Sequence, residues 1–182
     1  MATGSSGRDA APAPSGRPGM MGRMTKRFTH QLTYDAPLPR VARMLTDPSF
    51  REEVCDAQRV SRREVEVTGE GPRVVRLSYA HPTDRAPSFA KKLVGDAIEV
   101  VQTETWLRDD HATIDIEMPG KPGEAKGNIR LEEKDGKTVQ TVDLSVRVGV
   151  PLVGGKLEQA VGELLGKAWK YEQRVGADYL SR

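Results

Sequence analysis

Residues 141–180 read TVDLSVRVGV PLVGGKLEQA VGELLGKAWK YEQRVGADYL and carry two periods in succession. Val142, Leu144, Val146, Val148 and Val150 alternate with Thr141, Asp143, Ser145 and Arg147, the period of a strand with one apolar face. Pro151 to Gly155 interrupt it. From there to Leu180 the period is helical, over roughly 26 residues and about 39 Å. On a helical projection Leu157, Val161, Leu164, Leu165, Ala168, Val175 and Tyr179 share one stripe, while Lys156, Glu163, Lys167, Lys170 and Arg174 lie opposite. A one-sided helix covers something apolar, and antiparallel strands with one apolar face need such a cover. The pair predicts an α+β fold.

Working upstream, the period of two recurs. The turn Lys134-Asp135-Gly136 is a hairpin signal of the Asp-Gly kind, preceded by a strand with Ile129 and Leu131. Ala112, Ile114, Ile116 and Met118 form another strand, which the loop Pro119 to Gly123 joins to the next. Ile98 to Leu107 is a long strand. Val75, Leu77 and Tyr79 match Val65 and Val67 across the turn Gly69 to Pro72. His81 to Gly95 is irregular, with a short helical stretch around Ser88 to Val94. Nearer the start, Phe28 to Asp35 is a strand, Pro37 to Pro39 open a short helix, and Asp47-Pro48 starts a second over about Ser49 to Ala57.

The 182 residues suit one domain, with 37% hydrophobic and 30% charged side chains, enough for a sizeable core. No apolar run approaches the roughly 20 residues of a membrane span. A single cysteine excludes an internal disulfide framework and a cysteine zinc ribbon. Of the net charge of +2, residues 1–26 contribute +3, from Arg8, Arg17, Arg23 and Lys26 against Asp9. The remaining body is near neutral and the chain has 5% aromatics, which argues against a nucleic-acid partner. Fifteen of those first 26 residues are Gly, Ala, Pro or Ser, so 1–26 is expected to be a disordered tail and 27–182 the domain. Met20, Met21 and Met24 are alternative starts just ahead of the first strand. With no secretory signal and no disulfide pair, the cytoplasm is the expected location.

The order of strand, two short helices, a run of about six to seven antiparallel strands and a long terminal helix resembles the helix-grip fold of the START-like, polyketide cyclase-like superfamily. Phe28-Thr29-His30, Leu45-Thr46-Asp47-Pro48, Pro87-Ser88-Phe89-Ala90, Thr103-Glu104-Thr105-Trp106 and the C-terminal helix resemble an actinobacterial family of unknown function within it. The likeness spans about 27 to 180. It implies a curved sheet wrapped around the C-terminal helix, with a cavity between them for an apolar or aromatic ligand, and it supplies no catalytic residues.

For such a cavity the candidate lining residues are His30, Tyr79, Glu104, Trp106, Ile116, Leu144, Val161, Leu165 and Glu172. Glu172 falls inside the apolar stripe, where an unpaired buried carboxylate is costly. It either meets a ligand's polar end, or acts as an acid or base, or it reaches water or an arginine; the last pair is the expectation. His30 shares a strand face with Phe28 and Leu32 and is expected to be a hydrogen-bonded core residue. Gln102, Glu104 and Trp106 share a strand face whose phase the sequence leaves open, with Trp106 expected in the core and Glu104 in solvent. Gly162, Gly166 and Gly176 on one helix flank suggest close backbone approach or cavity volume.

Other constellations fail. Gly154-Gly155-Lys156-Leu157 lacks the hydroxyl of a phosphate loop. His30, His81 and His111 have no ligand spacing, so no metal and no cofactor is expected. There is no Gly-x-Ser-x-Gly elbow, and Cys55 reads as a small apolar residue. Three functions remain open: carriage of a small apolar molecule such as a lipid, polyketide or isoprenoid; a cyclase, dehydratase or hydrolase working in the same cavity, for example through His30 with Glu172 or Glu104; and a protein-binding module. The first is the expectation.

Overall fold

The alternation of apolar and polar residues folds as the sequence predicts. The structure, a computed structural model, describes residues 25–84, 88, 91–92 and 95–182. The predicted tail falls outside the described residues up to residue 24. Lys26, the last residue of that tail, opens the first strand. The helical stretch predicted around Ser88 to Val94 is described only at Ser88, Lys91 and Lys92, which are helical and exposed.

The elements are β1 (Lys26–Tyr34), α1 (Leu38–Leu45), α2 (Pro48–Gln58), β2 (Arg62–Thr68), β3 (Arg73–Pro82), β4 (Ala97–Arg108), β5 (His111–Glu117), β6 (Gly123–Lys134), β7 (Lys137–Val148) and α3 (Gly154–Leu180). Seven strands form one antiparallel sheet in the order β1-β7-β6-β5-β4-β3-β2. The turn between β6 and β7 holds Asp135 at φ 53° and Gly136 at φ 74°, the two left-handed positions that an Asp-Gly hairpin turn requires. Asp47 caps α2 by accepting a hydrogen bond from the Ser49 N–H at 2.8 Å, with Pro48 in the first turn, where a missing N–H costs nothing.

Register aligns the concave face into rows. Phe28 on β1 pairs with Leu144, Leu144 with Gly127, Gly127 with Ile114, Ile114 with Glu104 and Glu104 with Val75. The row before it runs Lys26, Val146, Ala125, Ile116, Gln102, Leu77. The core is built on these inward positions, including Leu32, Ile114, Ile129, Val142 and Leu144.

The face that α3 buries is rotated from the predicted stripe. The buried positions are Leu157, Glu158, Gly162, Leu165, Trp169, Glu172, Gly176 and Leu180, whereas Leu164 is 40% exposed and Val161, Ala168, Val175 and Tyr179 are half-buried. The reason lies in two glycines that an apolar count ignores. A Cβ at Gly162 would stand 2.2 Å from the Phe28 ring, and one at Gly176 would stand 2.5 Å from the Tyr34 ring. These rings dock into notches in the helix, so the seam runs through the glycines. Gly166 meets nothing within 4 Å, so close approach explains two of the three glycines and not the third.

Candidate functional site

Phe50, Arg51, Val54 and Cys55 form the buried side of α2. Three are apolar; the fourth is a guanidinium at the centre of the molecule, and Arg51 is among its largest fully buried side chains. Its three nitrogens are all engaged. Nε donates to the Leu45 carbonyl oxygen at 2.7 Å, Nη2 to Glu104 Oε2 at 2.6 Å, and Nη1 to Glu172 Oε2 at 3.0 Å. One side chain thus ties together α1, α2, β4 and α3.

The carboxylates are held from their other sides as well. Glu104 accepts from Gln102 Nε2 at 2.7 Å and from Trp106 Nε1 at 3.0 Å. Glu172 accepts from Gln140 Nε2 at 3.1 Å. The result is a polar belt, Gln102–Glu104–Arg51–Glu172–Gln140, crossing the interior from β4 to β7. Its charge does not balance, because one guanidinium faces two carboxylates. Burial pushes the Glu172 carboxyl above its ordinary value, against the pull of Arg51, and Glu104 pushes it the same way. Burial by itself lowers the Arg51 value, yet Glu104 and Glu172 together hold it above the usual arginine value. Among the described residues, the Gln140 Oε1 and Tyr34 hydroxyl oxygens are buried beside this belt without a well-formed hydrogen bond. Burial, then Glu172, raises the Tyr34 hydroxyl well above its ordinary value.

The structure brings together three of the predicted site residues: Glu104, Trp106 and Glu172. Glu104, expected in solvent, is 1% exposed; β4 turns Val100, Gln102, Glu104 and Trp106 inward, and Arg51 supplies the counter-charge that makes this tolerable. Glu172 meets an arginine, as expected. Trp106 lies in the core, also as expected. Ile116, Leu144 and Leu165 are buried on the concave side, and Tyr79 and Val161 are half-buried. Burial raises the Tyr79 hydroxyl strongly, so it stays protonated at physiological pH.

His30 stands apart from the belt. It is half-buried and stacks on Trp169 with ring centroids 5.6 Å apart, rather than hydrogen-bonding in the core. Burial, and then Lys170, lowers its pKa. Among the described residues it has no hydrogen bond to Glu104 or Glu172, so the acid–base pairing considered as an alternative is not assembled. Cys55 is buried and its thiol is pushed up by burial, the opposite of an activated nucleophile. Among the described residues no group of three His, Cys, Asp or Glu side chains is placed to hold a metal. No described helix is long and apolar enough to cross a membrane.

Sequence reasoning missed Arg51, Gln102 and Gln140 as members of one network. A signal existed for Arg51, which lies three and four residues before Val54 and Cys55, on the apolar side of α2. Gln140 had one too, at the inward phase of β7 behind Val142.

A seven-stranded antiparallel sheet closed by a C-terminal helix, with two short helices after β1, is the helix-grip fold of START-like proteins. Within it, the chain belongs to the family described as "Protein of unknown function (DUF2505)", which matches residues 29–180. No curated protein matches the chain. Solved structures do. TTHA0849 from Thermus thermophilus is 16% identical, with a TM-score of 0.60 over 84% of this chain and 95% of that one. The Zhui aromatase/cyclase from Streptomyces sp. R1128 is 13% identical, with a TM-score of 0.60 over 87% and 95%. A START superfamily protein from Mycobacterium smegmatis is 12% identical, with a TM-score of 0.55 over 85% and 98%. At such identities the likeness is one of fold.

Proposed function

We propose that this domain, residues 27–182, binds or carries a small apolar molecule of lipid, polyketide or isoprenoid type between its sheet and α3. One arrangement supports this reading. α3 packs on β1, β7, α1 and α2, and among the described residues it barely approaches β3, β4 and β5. Because Phe28 meets Gly162, register sets the row containing Ile116, Gln102 and Leu77 level with the first turns of α3. The flank of α3 turned away from β1 carries Val161, Leu164 and Ala168, apolar residues that pack only partly or stand exposed. Leu77, Val100 and Ile116 are buried, apolar members of the core on this side of the sheet, the kind of wall an apolar ligand needs. The Gln102–Glu104–Arg51 segment closes its deep end with polar groups, and a few such groups in an apolar wall suit orientation of a mostly apolar ligand.

The named relatives agree in kind. One is a polyketide aromatase/cyclase and one a START superfamily protein. Binding without turnover is the reading favoured here, because both buried carboxylates are committed to Arg51.

Native mass spectrometry of the protein from a lipid-rich bacterial host, followed by denaturing extraction, tests this. A stoichiometric added mass released as an apolar molecule supports it, as does its loss in Val161→Trp with the fold retained. A ligand-free mass, together with failure to bind a fluorescent fatty acid, overturns it.

A further inference from the structure

At the end of the sheet where β1 begins and β7 ends lies a cleft of about 570 Å³. Lys26, Arg147, Val150, Pro151 and Leu152 line it. Leu152 is 103% exposed, the most solvent-exposed large apolar side chain among the described residues. Its backbone is held at φ 66°, in the left-handed region that bulky side chains rarely occupy. The Val153 N–H donates to the Pro151 carbonyl oxygen at 2.8 Å across it, which makes a tight turn of the rare, strained kind. The loop is also anchored, because the Gly149 N–H donates to the Pro122 carbonyl oxygen at 2.7 Å and the Gly154 N–H to that of Val150 at 2.9 Å. A strained, anchored turn therefore holds a leucine entirely in water, where a glycine would cost less.

Two basic residues, Lys26 and Arg147, line the same cleft as Leu152, and Lys156 follows in the first turn of α3. Lys26 and Lys156 are exposed and Arg147 is half-buried. Among the described residues none of the three is ion-paired. Two acids lie close by: Glu158 also lines the cleft and accepts from the Val148 N–H at 3.1 Å, and Glu124, opposite Arg147 in register, shares Lys126 with Asp115, at 3.4 Å and 3.0 Å, which leaves the three cations in excess at this end.

We propose that this end of the molecule docks reversibly on an anionic lipid surface, with Leu152 entering the apolar layer and Lys26, Arg147 and Lys156 facing the headgroups. Burying one leucine strengthens partition by about tenfold or more. Each basic group adds about fivefold at an anionic leaflet and loses that gain in high salt. One apolar tip with three cations gives weak, reversible binding. The proposal goes beyond ligand carriage and holds whether or not the interior is occupied.

The test is co-sedimentation of the full chain with vesicles of phosphatidylcholine containing roughly 30% phosphatidylglycerol, an anionic surface of the kind basic groups bind. Binding is expected, at least about tenfold weaker on pure phosphatidylcholine and weakened by salt. Leu152→Gly should lose about tenfold in binding while its melting temperature stays level or rises, because glycine relieves the positive φ. Lys26→Gln with Arg147→Gln should lose about 25-fold. No binding by the parent chain overturns the proposal. So does unchanged binding by Leu152→Gly, which assigns any affinity to another part of the chain. Self-association that disappears in Leu152→Gly without vesicle binding also overturns it, in favour of a second copy of this chain.

Discussion

Replacing Arg51 with methionine keeps most of the side-chain volume and removes the charge. Three interior hydrogen bonds go with it: to Glu104 at 2.6 Å, to Glu172 at 3.0 Å and to the Leu45 carbonyl at 2.7 Å. Hydrogen bonds to charged groups contribute about 1.5–3 kcal/mol each, so the two carboxylate bonds account for about 3–6 kcal/mol gross. Burying the guanidinium costs part of that back, and removal of one partner from a buried pair typically costs about 3–5 kcal/mol. Arg51→Met is therefore expected to lose about 4 kcal/mol at neutral pH, a large share of the roughly 5–15 kcal/mol that holds a typical domain together. In urea the midpoint should fall by about 2 M. Trp106 and Trp169, both buried, report the transition by fluorescence. The deficit should also depend on pH. Burial already raises the folded-state value of Glu172 and Arg51 opposes that rise, so without Arg51 it goes higher still and the folded variant gains relative stability as pH falls and this carboxylate binds a proton. The gap to the parent should narrow between about pH 7 and pH 5. Glu104→Gln and Glu172→Gln added to Arg51→Met should recover most of the loss. A deficit below about 1 kcal/mol, or one that is equal at both pH values, refutes the view of the belt as an interior network held by one guanidinium.

Three further outcomes are expected. In the parent chain the Glu172 value is raised, so the stability linked to this group is fullest below the ordinary carboxylate range and is lost as pH rises through the folded value; Glu172→Gln should remove that component from the pH–stability profile in urea titrations. Gly162→Ala and Gly176→Ala should each lose about 1–3 kcal/mol by driving a methyl into the Phe28 or Tyr34 ring, whereas Gly166→Ala, with open space at its Cβ, should gain about 0.5–1 kcal/mol in the same melts. His30 should titrate below 6.5 by NMR, and Lys170→Gln should recover only the smaller part of the shift, because burial is its first cause; the linked stability is present above the ordinary imidazole range and is lost as pH falls through the folded value.

The legible parts of this protein are those written in local periods. Val142 to Val148 and Ala112 to Met118 alternate with a pitch that only a strand satisfies, and Asp135-Gly136 names its own turn. From the sequence alone these determine an antiparallel sheet with a terminal helix, because each depends on neighbours two to four residues apart. The face of α3 was legible only to within one helical flank. The apolar stripe by itself misplaces the seam, which runs through Gly162 and Gly176, the glycines whose shared flank points to close approach, opposite rings from β1. The belt was not legible as a unit. Arg51, Glu104, Glu172 and Gln140 lie in four elements, and each by itself reads as a solvated residue or an unexplained polar one. A buried charge is stable only beside its partner, and that partner is set by strand phase and helix rotation, which no local pattern encodes. The tertiary structure alone decided that Glu104 turns inward and that the interior of this domain is organised around one guanidinium.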